Sequence, residues 1–279
     1  MAEQVTFSRS ALPGVTALRA RGSTRLWRAS HDRLCITIVH AGAGEWSMRG
    51  KHFSIEPTRL MVMQPGDVHQ TTQVTAAGSF DALYVEDELL GRYFGDSLRT
   101  RRLPRLTPSV DSAPVLSAFR SILSADWQND RGRVLDNLTS ALGSLLDAQP
   151  ESALDLTADC DTRLRRAKNE IAERYRSEPF SPENIERVAE TLGVDYFWLH
   201  RRFKQHFRVT PYQYAMSLRF VRARELLLHG RTHDLPTLEA VAFRAGYSSY
   251  THMAREFKSA VGLRPRDLAS EVGGWDRRR

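Results

Sequence analysis

Residues 242–265, near the C-terminus, read AFRAGYSSYTHMAREFKSAVGLRP and decide the fold of the second half of the chain. Apolar residues at helical spacing lead up to Gly246, where a left-handed backbone costs little and a helix can end. Ser248 is the predicted N-cap of a further helix, in which Met253 and Phe257 lie four residues apart and face inward. The stretch therefore predicts a helix, a glycine turn and a second helix.

The same pattern occurs earlier in the chain, in residues 185–206. Residues 181–183 read Ser-Pro-Glu and predict its start, with an N-cap, a proline at the first helical position and an acid in the first turn. Gly193 ends the first helix, and Asp195 is the predicted N-cap of the second. The residues of that second helix predicted to face inward are Leu199 and Phe203.

The two copies form an internal repeat with the features of a helix-turn-helix. Such a unit needs a small residue where its helices cross and a glycine that reverses the chain. Ala189 with Gly193, and Ala242 with Gly246, supply both. One copy would fit any helical hairpin with a glycine turn, but two copies in register are a much more specific signal.

Positive charge is concentrated in this half of the chain. Residues 160–279 carry 23 Lys and Arg against 15 Asp and Glu, whereas residues 1–159 carry 17 against 18. A basic surface binds polyanions because it releases the counterions of their phosphates. DNA binding is one interpretation of this charge, and a solvated basic face that keeps the protein soluble is the other.

The repeat resembles the DNA-binding domain of the AraC/XylS regulators. Their second unit reads roughly A-x-x-x-G-[FY]-x-x-x-x-x-F-x-R-x-F-[KR]-x-x-x-G-x-x-P, and residues 242–265 depart from it only at Met253, where the family often has Phe. In the first copy, Arg208 stands where the family usually has glycine. The resemblance implies that bases are contacted from the second helix of each unit, at the following positions: Phe197, Trp198, His200, Arg201, Tyr250, Thr251 and Arg255.

These side chains have alternative roles. Arg201 and Arg255 can bond the two major-groove acceptors of guanine, and Phe197 can touch a thymine methyl, but either arginine could instead contact a phosphate or only solvent. Trp198 could pack against the helix that links the two units. That linking segment, residues 212–228, would span roughly 26 Å as a helix, which suits two recognition helices in successive major-groove segments.

The first half of the chain has a different pattern. Between residues 34 and 86, the apolar bursts LCITIV, FSI, RLMVM and FDALYV are separated by pieces predicted to be turns, among them AGAGE and TAAGS. This spacing favours antiparallel β-structure. Apolar residues at steps of three and four then predict two helices, at residues 113–125 and 132–148.

The sequence thus predicts an α+β multidomain protein: a cupin-like β-barrel with two helices, then an all-α domain of two helix-turn-helix units joined by a long helix. The expected divisions are a sensing or dimerisation barrel at 1–110, a helical pair with possible dimer contacts at 111–148, a linker at 149–161 and the DNA-binding domain at 162–279.

The N-terminal barrel resembles the cupin-type sensing domain of such regulators through PGDVH at residues 65–69 and the glycine-rich turn at 41–44. Enzymatic cupins hold a metal with an H-x-H pair, which this chain lacks, so no metal or other cofactor is expected. Four side chains are candidates to line the barrel mouth and contact a small molecule: His40, Trp46, His69 and Tyr84. Alternatively, His69 caps a turn and the aromatic residues fill a closed core.

The remaining features concern location and partners. Two cysteines, Cys35 and Cys160, cannot form a disulfide framework and fit a reducing cytoplasm. No apolar run is long enough for a membrane span, and no secretory signal is recognised. The expected function is sequence-specific transcription regulation as a homodimer, with double-stranded DNA, a small-molecule effector and RNA polymerase as partners. The alternatives are a cupin-type enzyme with an accessory DNA-binding domain and an architectural protein that binds DNA without sequence preference.

Overall fold

A computed structural model describes residues 3–30, 33–48, 51–57, 60–63, 67–94, 106–107, 119–120, 122–123, 129–147, 162–177, 183–207, 209–229 and 236–272. Ser181 and Pro182 at the expected start of the first unit, the linker at 149–161, Arg208 and most of the expected helix at 113–125 lie outside these residues, whereas Glu183 lies in the first turn of a helix as expected. The described chain divides into an antiparallel sheet followed by helices.

Eight strands form one sheet among the described residues of the first half of the chain. Their bounds are β1 Gln4–Arg9, β2 Val15–Ser23, β3 Arg28–Ser30, β4 Leu34–Met48, β5 Lys51–Ile55, β6 Leu60–Met63, β7 Val68–Val85 and β8 Leu106–Thr107. The strand order is β1-β2-β7-β4-β6-β8, with β3 also paired to β7 and β5 to β4. All the pairs are antiparallel, as expected.

Two of the predicted turns are wrong. AGAGE lies inside β4 and TAAGS inside β7, and these two long strands pair across both segments with several register shifts. Gly42 has a φ of +105°, and a Cβ there would lie 2.5 Å from Gly78 Cα, while a Cβ on Gly44 would lie 2.2 Å from Gln73 O. The glycines therefore permit bulges and close backbone approach within a continuous ribbon.

The described helices are α1 Asp87–Phe94, α2 Arg131–Asp147, α3 Thr162–Ser177, α4 Glu183–Thr191, α5 Tyr196–Phe207, α6 Pro211–His229, α7 Leu238–Arg244, α8 Tyr250–Val261 and α9 Pro265–Val272. The expected helix at 132–148 is confirmed as α2, and the expected linking helix as α6. With 19 residues, α6 is about 28 Å long.

Successive side chains of a strand point to opposite faces of the sheet, so the strands contribute side chains to two cores. In β4, Ile36 and Ile38 face a core completed by the buried side of α2, whereas Cys35 faces a core that continues into α6, α7, α8 and α9. A third core lies among α3, α4, α5 and the first part of α6. The second core therefore joins the sheet to the C-terminal helices.

Candidate DNA-binding surface and ligand cavity

The first helix-turn-helix unit, α4 and α5, has the geometry that its sequence predicts. Gly193 has a φ of +62° in the turn, and the Asp195 carboxylate accepts a hydrogen bond from the Trp198 backbone N–H at 2.8 Å. Leu199 and Phe203 are fully buried. The N-cap fixes where α5 begins, and the buried residues fix which side of α5 faces outward.

The second unit, α7 and α8, repeats this construction with a one-residue correction. Gly246 has a φ of +89°, and Met253 and Phe257 are fully buried. The N-cap of α8 is Ser249, whose hydroxyl accepts from the His252 N–H, and not Ser248 as predicted. The Ser248 hydroxyl instead lies 3.1 Å from His252 Nδ1.

Equivalent positions of the two recognition helices are exposed. Arg201 and Arg255 each lie two residues before the buried phenylalanine, and both are exposed without an ion pair to a described residue. Phe197 and Thr251, each one turn earlier, are also exposed, and Phe197 is 76% exposed. The two helices therefore present the same face, with an arginine at its centre.

The other three predicted DNA contacts lie at the edges of this face. Trp198 is partly buried against the first unit's core, with the Arg163 guanidinium of α3 4.7 Å from its ring centre. His200 is half-buried and its ring lies 6.2 Å from that of Tyr196. Tyr250 is half-buried against the core of the second unit. Trp198 thus contacts α3 and packs against the first unit's core.

Three contacts fix the two units relative to one another. The Tyr175 hydroxyl of α3 donates to Ala245 O, in the turn of the second unit, at 2.8 Å. The Arg222 guanidinium of α6 donates to Tyr175 O at 2.6 Å. Arg219, also on α6, pairs with Glu256 of α8. The linking helix therefore holds both recognition helices in one arrangement.

A cavity of about 470 Å³ lies between the sheet and α6, within the usual size range of small-molecule sites. Three of the four predicted ligand contacts line it: Trp46, His69 and Tyr84. His40 does not line it, and its Nε2 lies 3.0 Å from Asp81 Oδ2. Removal from water lowers the pKa of His69 to about 4, so its ring is neutral at pH 7.

Other residues that line the cavity were missed from the sequence, and Arg224 is one of them. Arg224 of α6 is only 4% exposed, and its guanidinium lies 4.3 Å from the centre of the Tyr84 ring. Burial raises the pKa of the Tyr84 hydroxyl. The available signal was the spacing of α6, where Arg224 falls between Val221 and Leu228 at steps of three and four, on the face that points to the core.

Among the residues that the structure describes, no group of three or more His, Cys, Asp or Glu side chains is placed to hold a metal ion. None of the described helices is long and apolar enough to cross a membrane.

The geometry defines a protein with an antiparallel β-sheet domain beside a cavity and a double helix-turn-helix domain, and comparison with known proteins agrees. Residues 12–144 match the AraC-like ligand binding domain, and residues 188–271 match a helix-turn-helix domain. The chain is 32% identical over 246 residues to the HTH-type transcriptional activator RhaS of Escherichia fergusonii, covering 85% of each chain. Its match to RhaS of Escherichia coli O139:H28 is 34% over 92 residues and spans about a third of that relative.

The overall fold is similar to that of ToxT from Vibrio cholerae. The structure of ToxT bound to an unsaturated fatty acid superposes with a TM-score of 0.58 at 14% identity, over 99% of both chains. A second ToxT crystal form gives 0.55 at 11% identity, over 96% of this chain and 97% of that one. The chain belongs to the AraC/XylS family of DNA-binding transcription regulators.

Proposed function

We propose that this chain regulates transcription by inserting α5 and α8 into successive major-groove segments of one DNA site. The observation that carries the proposal is the repeated exposed face, in which Arg201 and Arg255 occupy equivalent positions opposite a buried phenylalanine. A recognition helix must combine those two features, because one side holds it on the domain while the other reaches base edges. The length of α6, about 28 Å, suits this spacing.

Each exposed side chain has a proposed contact. Arg201 and Arg255 bond guanine O6 and N7 in a bidentate way, and Phe197 packs on a thymine methyl. Thr251 contacts a base edge or a phosphate at the position equivalent to Phe197. The half-buried residues at the edges of the surface, namely Trp198, His200 and Tyr250, support the helices and contact the backbone.

The direction of regulation and the protein partner follow from the relatives. The matched relatives are named transcriptional activators, so we assign activation to this chain, with RNA polymerase as the partner. A bacterial cytoplasmic location follows from the same role. The sheet domain is assigned as a small-molecule sensor because the cavity lies within it and against α6.

A homodimer is part of the proposal, built on α2. One side of that helix, including Leu138 and Leu142, is buried against the chain's own sheet, and the other side exposes polar residues such as Asp136 and Ser140. A dimer through α2 would therefore use a polar face and be weak. Light scattering of the full chain tests it, and a strict monomer at high micromolar concentration would refute it.

Selection of binding sites from a random pool of DNA duplexes tests the function. The full chain should enrich two short elements about one helical turn apart, at 10 to 10.5 base pairs. Affinity for the selected duplex should fall steeply with salt, since several phosphates are neutralised. An unenriched pool would favour the architectural alternative, in which binding has no sequence preference.

The enzyme alternative makes a different prediction. A cupin-type enzyme would bind a metal and convert a substrate in the barrel, whereas a sensor binds its ligand and releases it unchanged. Elemental analysis of the purified protein, together with recovery of the added ligand after incubation, distinguishes the two. A stoichiometric metal with loss of the ligand would reverse the assignment.

A further inference from the structure

The flank of the first helix-turn-helix unit, where α3 begins beside α5, carries arginines that the proposed base contacts do not use. Arg163 and Arg166 of α3 are exposed, and they share one side of that helix because they are three residues apart. Arg202 of α5 is also exposed and lies one turn after Trp198, on the same side of α5. We call Arg163, Arg166 and Arg202 the arginine flank.

A stacked pair of side chains places this flank beside the recognition face. The Arg163 guanidinium lies 4.7 Å from the centre of the Trp198 ring. Trp198 directly follows Phe197, which is 76% exposed and is proposed to reach a base. When a recognition helix enters the major groove, the phosphates of the two strands border it on both sides. The arginine flank is therefore continuous with the surface proposed to contact DNA, on a side that meets a phosphate backbone.

The second unit has an equivalent flank with a different charge. Arg219 lies on α6, the helix that precedes the second unit as α3 precedes the first, and it pairs with Glu256 of α8. Glu256 directly precedes the buried Phe257. At the equivalent position of the first unit, directly before the buried Phe203, the residue is Arg202. The second unit therefore neutralises its arginine with a carboxylate, whereas the first unit presents a further arginine at that position.

Two members of the arginine flank keep their charge unneutralised among the described residues. Arg166 forms no ion pair with a described residue, and Arg202 bonds the uncharged side chain of Gln205 at 3.3 Å. Residues 162–168 contain four basic residues and no acidic one, so positive charge is concentrated at this end of α3. DNA carries one phosphate per roughly 3.4 Å of axis on each strand. That density of negative charge can satisfy several neighbouring arginines at once.

We propose that the arginine flank binds the DNA backbone beside the element that α5 reads, and that the second unit has no matching contact. Arg166 and Arg202 each donate to a phosphate, which a guanidinium can bind through two parallel hydrogen bonds. Arg163 holds the start of α3 against α5 through Trp198. The proposal rests on the proposed function, in which α5 and α8 read two elements of one site. It makes the first unit the larger source of salt-dependent affinity.

Fluorescence anisotropy of the full chain on its selected duplex, over a range of salt concentrations, tests the contribution of α3. Arg166→Gln should lower the salt slope by about one, because one phosphate contact is lost. It should weaken binding roughly threefold to tenfold at physiological salt, and equally on every single-base variant of the site. Arg165→Gln is the matched control. It removes the same charge from an exposed neighbour that points about 100° away, so it should keep the wild-type slope.

Duplexes with uncharged methylphosphonates locate the contact on the DNA. The phosphates beside each element are neutralised in turn, and binding of the wild type should weaken more at one element than at the other. That element should be the one at which Arg201→Ala relaxes the base preference. Arg166→Gln should lose part of the sensitivity there, because one protein partner of the phosphates is already absent. Arg165→Gln should keep the full sensitivity.

The outcomes separate this proposal from the proposed function. A wild-type salt slope for Arg166→Gln, an equal drop for Arg165→Gln, or equal sensitivity to neutral phosphates at both elements would overturn the proposal. An arginine flank that binds an acidic protein instead of DNA would give the first of these results. If the wild type still binds its selected duplex in such a case, only the flank proposal fails, whereas a folded chain that selects no duplex removes the proposed function itself.

Discussion

The two helix-turn-helix units differ in what surrounds them. Both have a glycine turn with positive φ, a capped recognition helix and a buried phenylalanine at the same position. The first unit packs into a core with α3 that Val68 of the sheet contacts at its edge, whereas the core of the second unit includes buried strand residues such as Phe7 and Leu18. Similar local sequences are thus placed in different surroundings.

The sheet contacts the C-terminal helices through polar side chains as well as through the second core. Arg25 donates to Lys258 O and Ser259 O at the end of α8, and Arg33 pairs with Glu225 of α6. Contacts of this kind tie the sheet to the second unit and to the linking helix. The first unit is connected to the sheet through Val68, which packs against its core, and to the second unit through α6 and Tyr175.

The largest expected effect comes from truncating the buried phenylalanines. Phe203→Ala and Phe257→Ala should each lower the free energy of unfolding by about 3–5 kcal/mol, because each leaves a cavity in a packed core. Phe203→Ala should increase hydrogen exchange in the first unit only, whereas Phe257→Ala should also increase it in the sheet. Exchange mass spectrometry with urea unfolding measures both.

The control for Phe203→Ala and Phe257→Ala is Lys204→Ala, at the exposed position next to Phe203. It should change the free energy of unfolding by no more than about 0.5 kcal/mol. Faster exchange in the sheet after Phe203→Ala would mean that the two cores are one cooperative unit, and the contrast between the units would be lost.

The second-largest effect is expected from removing a side chain that is proposed to contact a base. Arg201→Ala should cost roughly 1–3 kcal/mol on the selected site and relax the preference at one base pair. Its neighbour Arg202 points about 100° away on the helix and bonds Gln205, so Arg202→Ala should weaken all sequences alike and lower the salt slope by about one.

Competition binding with single-base variants of the selected site measures this difference, after circular dichroism has shown that both proteins are folded. Equal losses on every variant for Arg201→Ala would mean that Arg201 touches only the backbone. Arg255→Ala, at the equivalent position of α8, should relax the preference in the other element of the site.

A smaller effect is expected from the arginine that joins the sheet to α8. Arg25→Ala removes a cation from the C-terminal carbonyls of the second recognition helix, which should cost about 1 kcal/mol. Hydrogen exchange should become faster in α8 and stay unchanged in α5. Unchanged exchange in α8 would show that apolar packing alone holds the second unit to the sheet, and Arg28→Ala, an exposed neighbour, serves as the control.

The smallest effect should come from the bond between the units. Tyr175→Phe removes the hydroxyl that donates to Ala245 O, at a cost of about 0.5–1.5 kcal/mol. With the units less firmly held, the chain should accept selected sites whose two elements are one base pair closer or further apart. A spacing preference identical to that of the wild type would show that α6 alone sets the distance.

Errors in the sequence-based predictions have particular physical causes. The prediction of turns at AGAGE and TAAGS rests on the frequent glycine and small residues there, but β4 and β7 pair through both segments. The α8 N-cap was placed one residue early because Ser248 and Ser249 are chemically equivalent, and only the backbone decides which one accepts from His252. His40 looked like a cavity residue until the fold paired it with Asp81.

The sequence by itself determined the two helix-turn-helix units, the glycine turns and the inward residues Leu199, Phe203, Met253 and Phe257. Helical period, caps and glycine conformations act over a few residues, so they can be read locally. Only the tertiary structure decided that the second unit shares its core with the sheet and that Arg224 meets Tyr84. These contacts join residues far apart in the chain, and no local period records which distant surface will cover an apolar face.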